Sequence, residues 1–141
     1  MINPLVLKAF LSVILEAQTF LFPYLKSSMT IDESLITSGS VLLSYEGSIY
    51  SYSQNNINLP SNVVAKPQFK VSVIYQSLIQ DDQSLVVFND VVSLINGTNM
   101  NEAKMKPFRI MKDELKQYKD KYGVFEHSIF FETEYSFTQI V

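Results

Sequence analysis

Hydrophobic positions along this chain follow two periods, and the switches between them predict its elements. In MINPLVLKAFLSVILEAQTFLF a helical period puts Val6, Phe10, Val13, Ala17 and Phe20 on one face, flanked by Ile14 and Leu21. Lys8, Ser12, Glu16 and Thr19 fall largely on the other. Pro4 suits the first turn, and Pro23 stops the helix at or before Phe22. The polar stretch KSSMTIDESLITSGS then reads mostly as loop. In VLLSYEGSIYSYS, Val41, Leu43 and Tyr45 alternate before Glu46-Gly47, and Ile49, Tyr50 and Tyr52 follow. That predicts a β-hairpin turning at Gly47.

QNNINLPSNVVAKP reads as a long connection. After Pro67 the alternation of Phe69, Val71, Val73 and Tyr75 predicts a strand with one buried face. Ile74, in the opposite phase, implies partial cover on the second face. The period then lengthens: Leu85, Phe88, Val92 and Ile95, with Val91 alongside, predict a helix. Asp81 or Asp82 can cap its start and Asn96-Gly97 its end. Phe108 and Ile110 predict a short strand after Pro107, and DELKQYKDKYG reads as a helical turn or exposed loop. A closing strand runs from about Val124 to Thr138. Its odd positions (Phe125, His127, Ile129, Phe131, Tyr135 and Phe137) want a core, while its even positions carry Glu126, Phe130, Glu132 and Glu134. Two helices against a mainly antiparallel sheet make a single compact α+β domain.

Composition narrows the function more than the fold. The 141 residues are 47% hydrophobic and 18% charged, which fits one globular domain. The N-terminal run lacks a basic leader and a small-residue cleavage site, and Glu16 is costly inside a bilayer, so neither a secretory signal nor a membrane span is expected. Cys is absent and His127 is the only histidine. These counts leave no thiolate nucleophile and only one base for a Ser-His-Asp set, and that base belongs to the apolar phase of a strand. Four separated glycines build neither a phosphate loop nor a nucleophile elbow. Asp81-Asp82 and Glu132/Glu134 offer oxygen ligands, but a helix cap and an exposed strand face explain them. No catalytic residue, cofactor or metal is expected.

Net charge is −3, yet seven of the eleven basic residues cluster late: Lys104, Lys106, Arg109, Lys112, Lys116, Lys119 and Lys121. Interleaved Asp113, Glu114 and Asp120 dilute the cluster, and one arginine is thin equipment for base readout. The segment reads as a solvated face or a contact with another protein.

The runs KPQFKVSVIYQSLI, SLVVFNDVVSLINGT and MKPFRIMKDELKQYKDKYGVFEHSIFFETEYSF resemble the tail-terminator (tail-completion) proteins of long-tailed phages, closest to the Mu-like contractile-tail group. Leu94-Ile95-Asn96-Gly97 matches the family's helix ending, and Phe125, Ile129, Phe131 and Thr133 match its final strand. The resemblance spans roughly Lys66 to Phe137. It implies a non-enzymatic homo-oligomeric ring, usually a hexamer, that caps the head-proximal end of the tail tube. Its partners are tube, sheath and neck proteins, and DNA passes without sequence-specific binding. The implied location is the tail–neck junction of a virion, reached from host cytoplasm, with no membrane involved. Within that picture, Glu126, Phe130, Glu132 and Glu134 are candidates for a neighbouring subunit or the lumen. The basic segment is a candidate partner contact. Another neck or head-completion protein, or a small α+β binding module with an apolar pocket, remains compatible with the same residues.

Overall fold

The computed structural model describes residues 2–18, 25–26, 40–52, 61–100, 105–117 and 124–139. Its elements are α1 (Pro4–Glu16), β1 (Leu25–Lys26), β2 (Ser40–Tyr52), β3 (Ser61–Gln76), α2 (Ser77–Ile95), β4 (Arg109–Gln117), β5 (Val124–Glu132) and β6 (Tyr135–Gln139). The fold is α+β, as the sequence predicts. One sheet runs in the order β1-β2-β3-β5-β4, with β6 also on β3. All pairings are antiparallel except the short β1–β2 pair.

β3 is the spine. β2 covers one edge, while β5 and β6 share the other, pairing with Gln68–Gln76 and Ser61–Ala65 respectively. The predicted single closing strand is therefore two, broken at Thr133 and Glu134. Pro67 sits inside β3 at that break, where its missing N–H costs no ladder bond; its carbonyl accepts from the Thr133 N–H at 3.2 Å. The predicted long connection is likewise corrected, since Ser61–Pro67 is strand. The predicted hairpin at Glu46-Gly47 is a β-bulge within β2: two residues oppose Gln68 between the Tyr45–Phe69 and Ser48–Pro67 pairs. Gly47 does take positive φ, at 99°. DELKQ is neither helix nor loop but the second half of β4. Tyr118–Gly123 and most of KSSMTIDESLITSGS lie outside the described residues.

Both helices cover the sheet face built from odd positions. The core joins Leu7, Leu11 and Leu15 of α1 with Val87, Val91 and Ile95 of α2, over Phe69, Val71, Val73, Ile129, Phe131 and Tyr135. The predicted face of α1 needs rotation, whereas that of α2 holds at Phe88, Val91, Val92 and Ile95 and fails only at Leu85. α1 buries Leu7, Leu11 and Leu15 and leaves Val6 and Val13 exposed; α2 buries Val87 and exposes Leu85. Each helix carries apolar residues on more than one side, so periodicity alone does not choose the inward face. Asn3 caps α1, accepting from the Leu5 N–H at 2.9 Å ahead of Pro4. α2 begins at Ser77, so Asp81 and Asp82 lie within it rather than capping it. Its other end matches expectation: Gly97 takes φ 90° and its N–H donates to the Phe108 carbonyl at 2.7 Å. The Asn96 side chain accepts from the Ile110 N–H at 3.0 Å, fixing the start of β4 to the helix end.

Candidate interaction face

The sheet face away from the helices collects the even residues of β3 and β5 and the matching residues of β4. Register sets them in rows: Gln68–Glu132–Arg109, Lys70–Phe130–Lys112, Ser72–Ser128–Glu114 and Ile74–Glu126–Lys116. The bulge at Met111 in β4 brings Arg109 and Lys112, three apart in sequence, into neighbouring rows. Glu126 and Glu132 are buried, at 7% and 3% exposure. A solvated carboxylate row, the plainer expectation for this strand, is therefore corrected for these two.

What holds the charges is visible row by row. Glu132 accepts from the Arg109 guanidinium at 3.0 Å and from the Gln68 amide at 3.2 Å. Glu126 accepts from the Ser72 and Ser128 hydroxyls, each at 3.0 Å, with the Lys70 ammonium at 3.9 Å. Lys70 also pairs with Glu46 in the β2 bulge at 3.3 Å. Lys112 lies 4.8 Å from the Phe130 ring centre and 2.9 Å from Glu114. Beyond β5, Glu134 stands between Lys106 at 2.5 Å and Lys66 at 3.8 Å. The Lys106 hydrogen bond lowers the Glu134 pKa below its ordinary 4.5, and partial burial opposes the shift. Hydrogen bonds and nearby cations offset the desolvation cost of these buried carboxylates, which is why a β-sheet tolerates them here.

The two candidate groups read separately in the sequence thus form one surface. Lys106, Arg109, Lys112 and Lys116 flank the β5 carboxylates; Lys104, Lys119 and Lys121 lie outside the described residues. Sequence reasoning missed Lys66, Gln68, Lys70, Ser72 and Ser128. Their polar phase along the strands was the available signal, but only register makes them partners. Asp113 goes to the opposite face, where its carboxylate lies 2.6 Å from His127 Nε2. The His127 ring stacks on Phe88 of α2 at 4.1 Å between centres. This buried histidine joins α2, its own strand β5 and the edge strand β4, as a packed histidine does.

A cleft of about 50 Å³ at one end of the face is lined by Lys106, Pro107, Arg109, Glu132, Thr133 and Glu134. It has room for a water or two, far from the roughly 300–1,000 Å³ of a small-molecule site. Among the described residues, no three His, Cys, Asp or Glu side chains are grouped to hold a metal, and no helix is long and apolar enough to cross a membrane.

No protein family matches the chain by sequence pattern, and no curated protein matches it. A solved structure does. A chain from the virion of a native gene transfer agent particle superposes with a TM-score of 0.63, covering 93% of this chain and 95% of that one at 12% identity. The two share a fold. At that identity, the likeness speaks to architecture alone.

Proposed function

We propose that this chain is a non-enzymatic structural subunit of a phage-like virion, and within that class a tail terminator that closes the head-proximal end of a tail tube as a ring. The observation that carries the reading is the near end-to-end match to a virion component, 93% and 95% of the two chains. A partial match would fit any shared sheet; a match over both lengths fits a whole subunit. The Lys66–Phe137 pattern supports the finer assignment, and so does a face built for contact rather than chemistry. In the ring, this face meets a neighbouring subunit or borders the lumen. Its buried carboxylates are already matched by Lys70 and Arg109, so it presents a charge-balanced wall past which DNA moves without being held.

The test is assembly. Purified chain mixed with polymerising tail-tube protein is expected to give tubes of limited length, each with a ring-shaped cap at one end by electron microscopy. Tubes that grow equally long with and without the chain, and carry no cap, would end the terminator assignment.

A further inference from the structure

β4 is an edge strand, and its outer side is divided. At its start the edge is occupied: the Phe108 N–H donates to the Thr98 carbonyl at 2.8 Å, and the Ile110 N–H to Asn96 at 3.0 Å. From Met111 to Gln117, among the described residues, only β5 pairs with β4, and all seven residues are exposed. Two of them are large and apolar, Met111 at 47% and Leu115 at 62% exposure. An open edge bearing exposed apolar side chains is a template for another strand.

The sequence of that edge, Met-Lys-Asp-Glu-Leu, is complementary to itself when reversed. We propose that β4 pairs antiparallel with β4 of a second copy about a two-fold axis through Asp113. In that register, Lys112 lies across from Glu114 of the other copy, and Glu114 across from its Lys112. Lys112 and Glu114 already pair within one chain at 2.9 Å, so they sit on the same face. Doubling them makes a square of four charges in which every neighbour is of opposite sign. Met111 lies opposite Leu115 at both ends, which covers both exposed apolar residues at once.

The pattern also rejects other registers. Centring the pair on Glu114 sets Glu114 against Glu114 and Lys112 against Lys116 of the second copy. Centring it on Lys112 sets Lys112 against itself. A parallel in-register pair puts every like charge together. An axis through Leu115 also sets Glu114 against Lys116, but it leaves Met111 outside the paired 113–117 segment. The Asp113 axis alone both opposes Lys112 with Glu114 and covers Met111 with Leu115, leaving one like pair at its centre. There each Asp113 is held by its own His127 at 2.6 Å on the opposite face.

Such a contact is isologous and closes at two copies, whereas a ring needs a head-to-tail contact. The inference therefore goes beyond the terminator reading and does not rest on it. It describes the unassembled chain, with the open edge covered by its own kind.

The absence of native cysteine makes the register directly readable. Two samples, Met111→Cys and Leu115→Cys, are oxidised separately and as a mixture. Directly opposed residues lie within disulfide range, while like positions are four residues out of step, about 13 Å apart. Cross-linking in the mixture and not in either sample alone is expected. A Val86→Cys control, exposed on α2, should stay uncross-linked. Sedimentation supplies the second arm. Lys112→Glu and Glu114→Lys singly should each weaken dimerisation by about tenfold or more, and the double swap, which restores the alternation, should recover it. Equal cross-linking in all samples, a double swap no better than the singles, or a monomer up to the highest soluble concentration would overturn the proposal. A chain that dimerises through β4 but never caps tubes sinks the terminator reading alone. A monomer that caps tubes sinks the β4 pair alone.

Discussion

Single residues show how this sheet carries charge in its interior. Glu132 is buried and donates nothing, so its two acceptor contacts, to Arg109 and Gln68, are what make its burial affordable. Glu132→Ala is expected to lower stability by about 1.5–3 kcal/mol in denaturant titration, the range for charge-assisted hydrogen bonds. Glu134 adds a pH signature. Its folded pKa lies below 4.5, so its pairing with Lys106 stabilises fully above that value and is lost as pH falls through the lowered folded pKa. Denaturant midpoints measured from neutral pH downward should fall more steeply for wild type than for Glu134→Gln. Tyr135 acts at the other end of the scale. Burial pushes its phenol above the ordinary 10.0, aided by Tyr50, and the neutral phenol donates to the Ile2 carbonyl at 3.0 Å. The neutral phenol is favoured in the folded state, so its contribution is complete below 10.0 and is lost as pH rises through the folded value. Tyr135→Phe should remove that alkaline loss and cost about 1 kcal/mol at neutral pH through the missing hydrogen bond.

At the scale of elements, α1 gives the sharpest contrast. Leu11 is fully buried beneath it and Val13 is 64% exposed, though both lie in the same apolar run. Leu11→Ala should cost about 2–5 kcal/mol, and Val13→Ala should stay within about 0.5 kcal/mol in the same unfolding assay. The reverse order would restore the face that periodicity first suggests. The β2 bulge is a second case. Gly47 has φ 99° with open space where a Cβ would stand, so Gly47→Ala is a test of backbone strain without a clash. A loss of about 1–2 kcal/mol is expected. The sequence marked Gly47 as a positive-φ position correctly. Whether such a glycine turns the chain back or only kinks it depends on the partner strand, and that partner, β3, begins nine residues after Tyr52.

For the whole molecule, the fold class and the core of the second half were legible early. Phe69, Val71, Val73, Ile129 and Phe131 alternate in sequence and are buried together in the structure. The candidate face was legible only in pieces. Glu126 and Glu132 were visible as a row, and Arg109 and Lys112 as part of a basic segment, but their pairing depends on β4 lying beside β5 with a bulge at Met111. That bulge changes which residues share a face, and no local period reveals it. A long sheet with an exposed edge can accept another strand, and the tube-capping and β4-pairing experiments test whether it does.

By itself the sequence determined the two helices, the odd-numbered core of β3 and β5, and the helix stop at Asn96-Gly97. These rest on backbone preference and on an apolar period that operates within a few residues. Only the tertiary structure decided which side of α1 faces inward, that Pro67 fits the break between β5 and β6, and that the β5 carboxylates are buried beside cations. Those outcomes are set by register and packing between segments far apart in the chain. A carboxylate on a strand reads as a solvated charge until the strand beside it supplies the guanidinium that lets it stay inside.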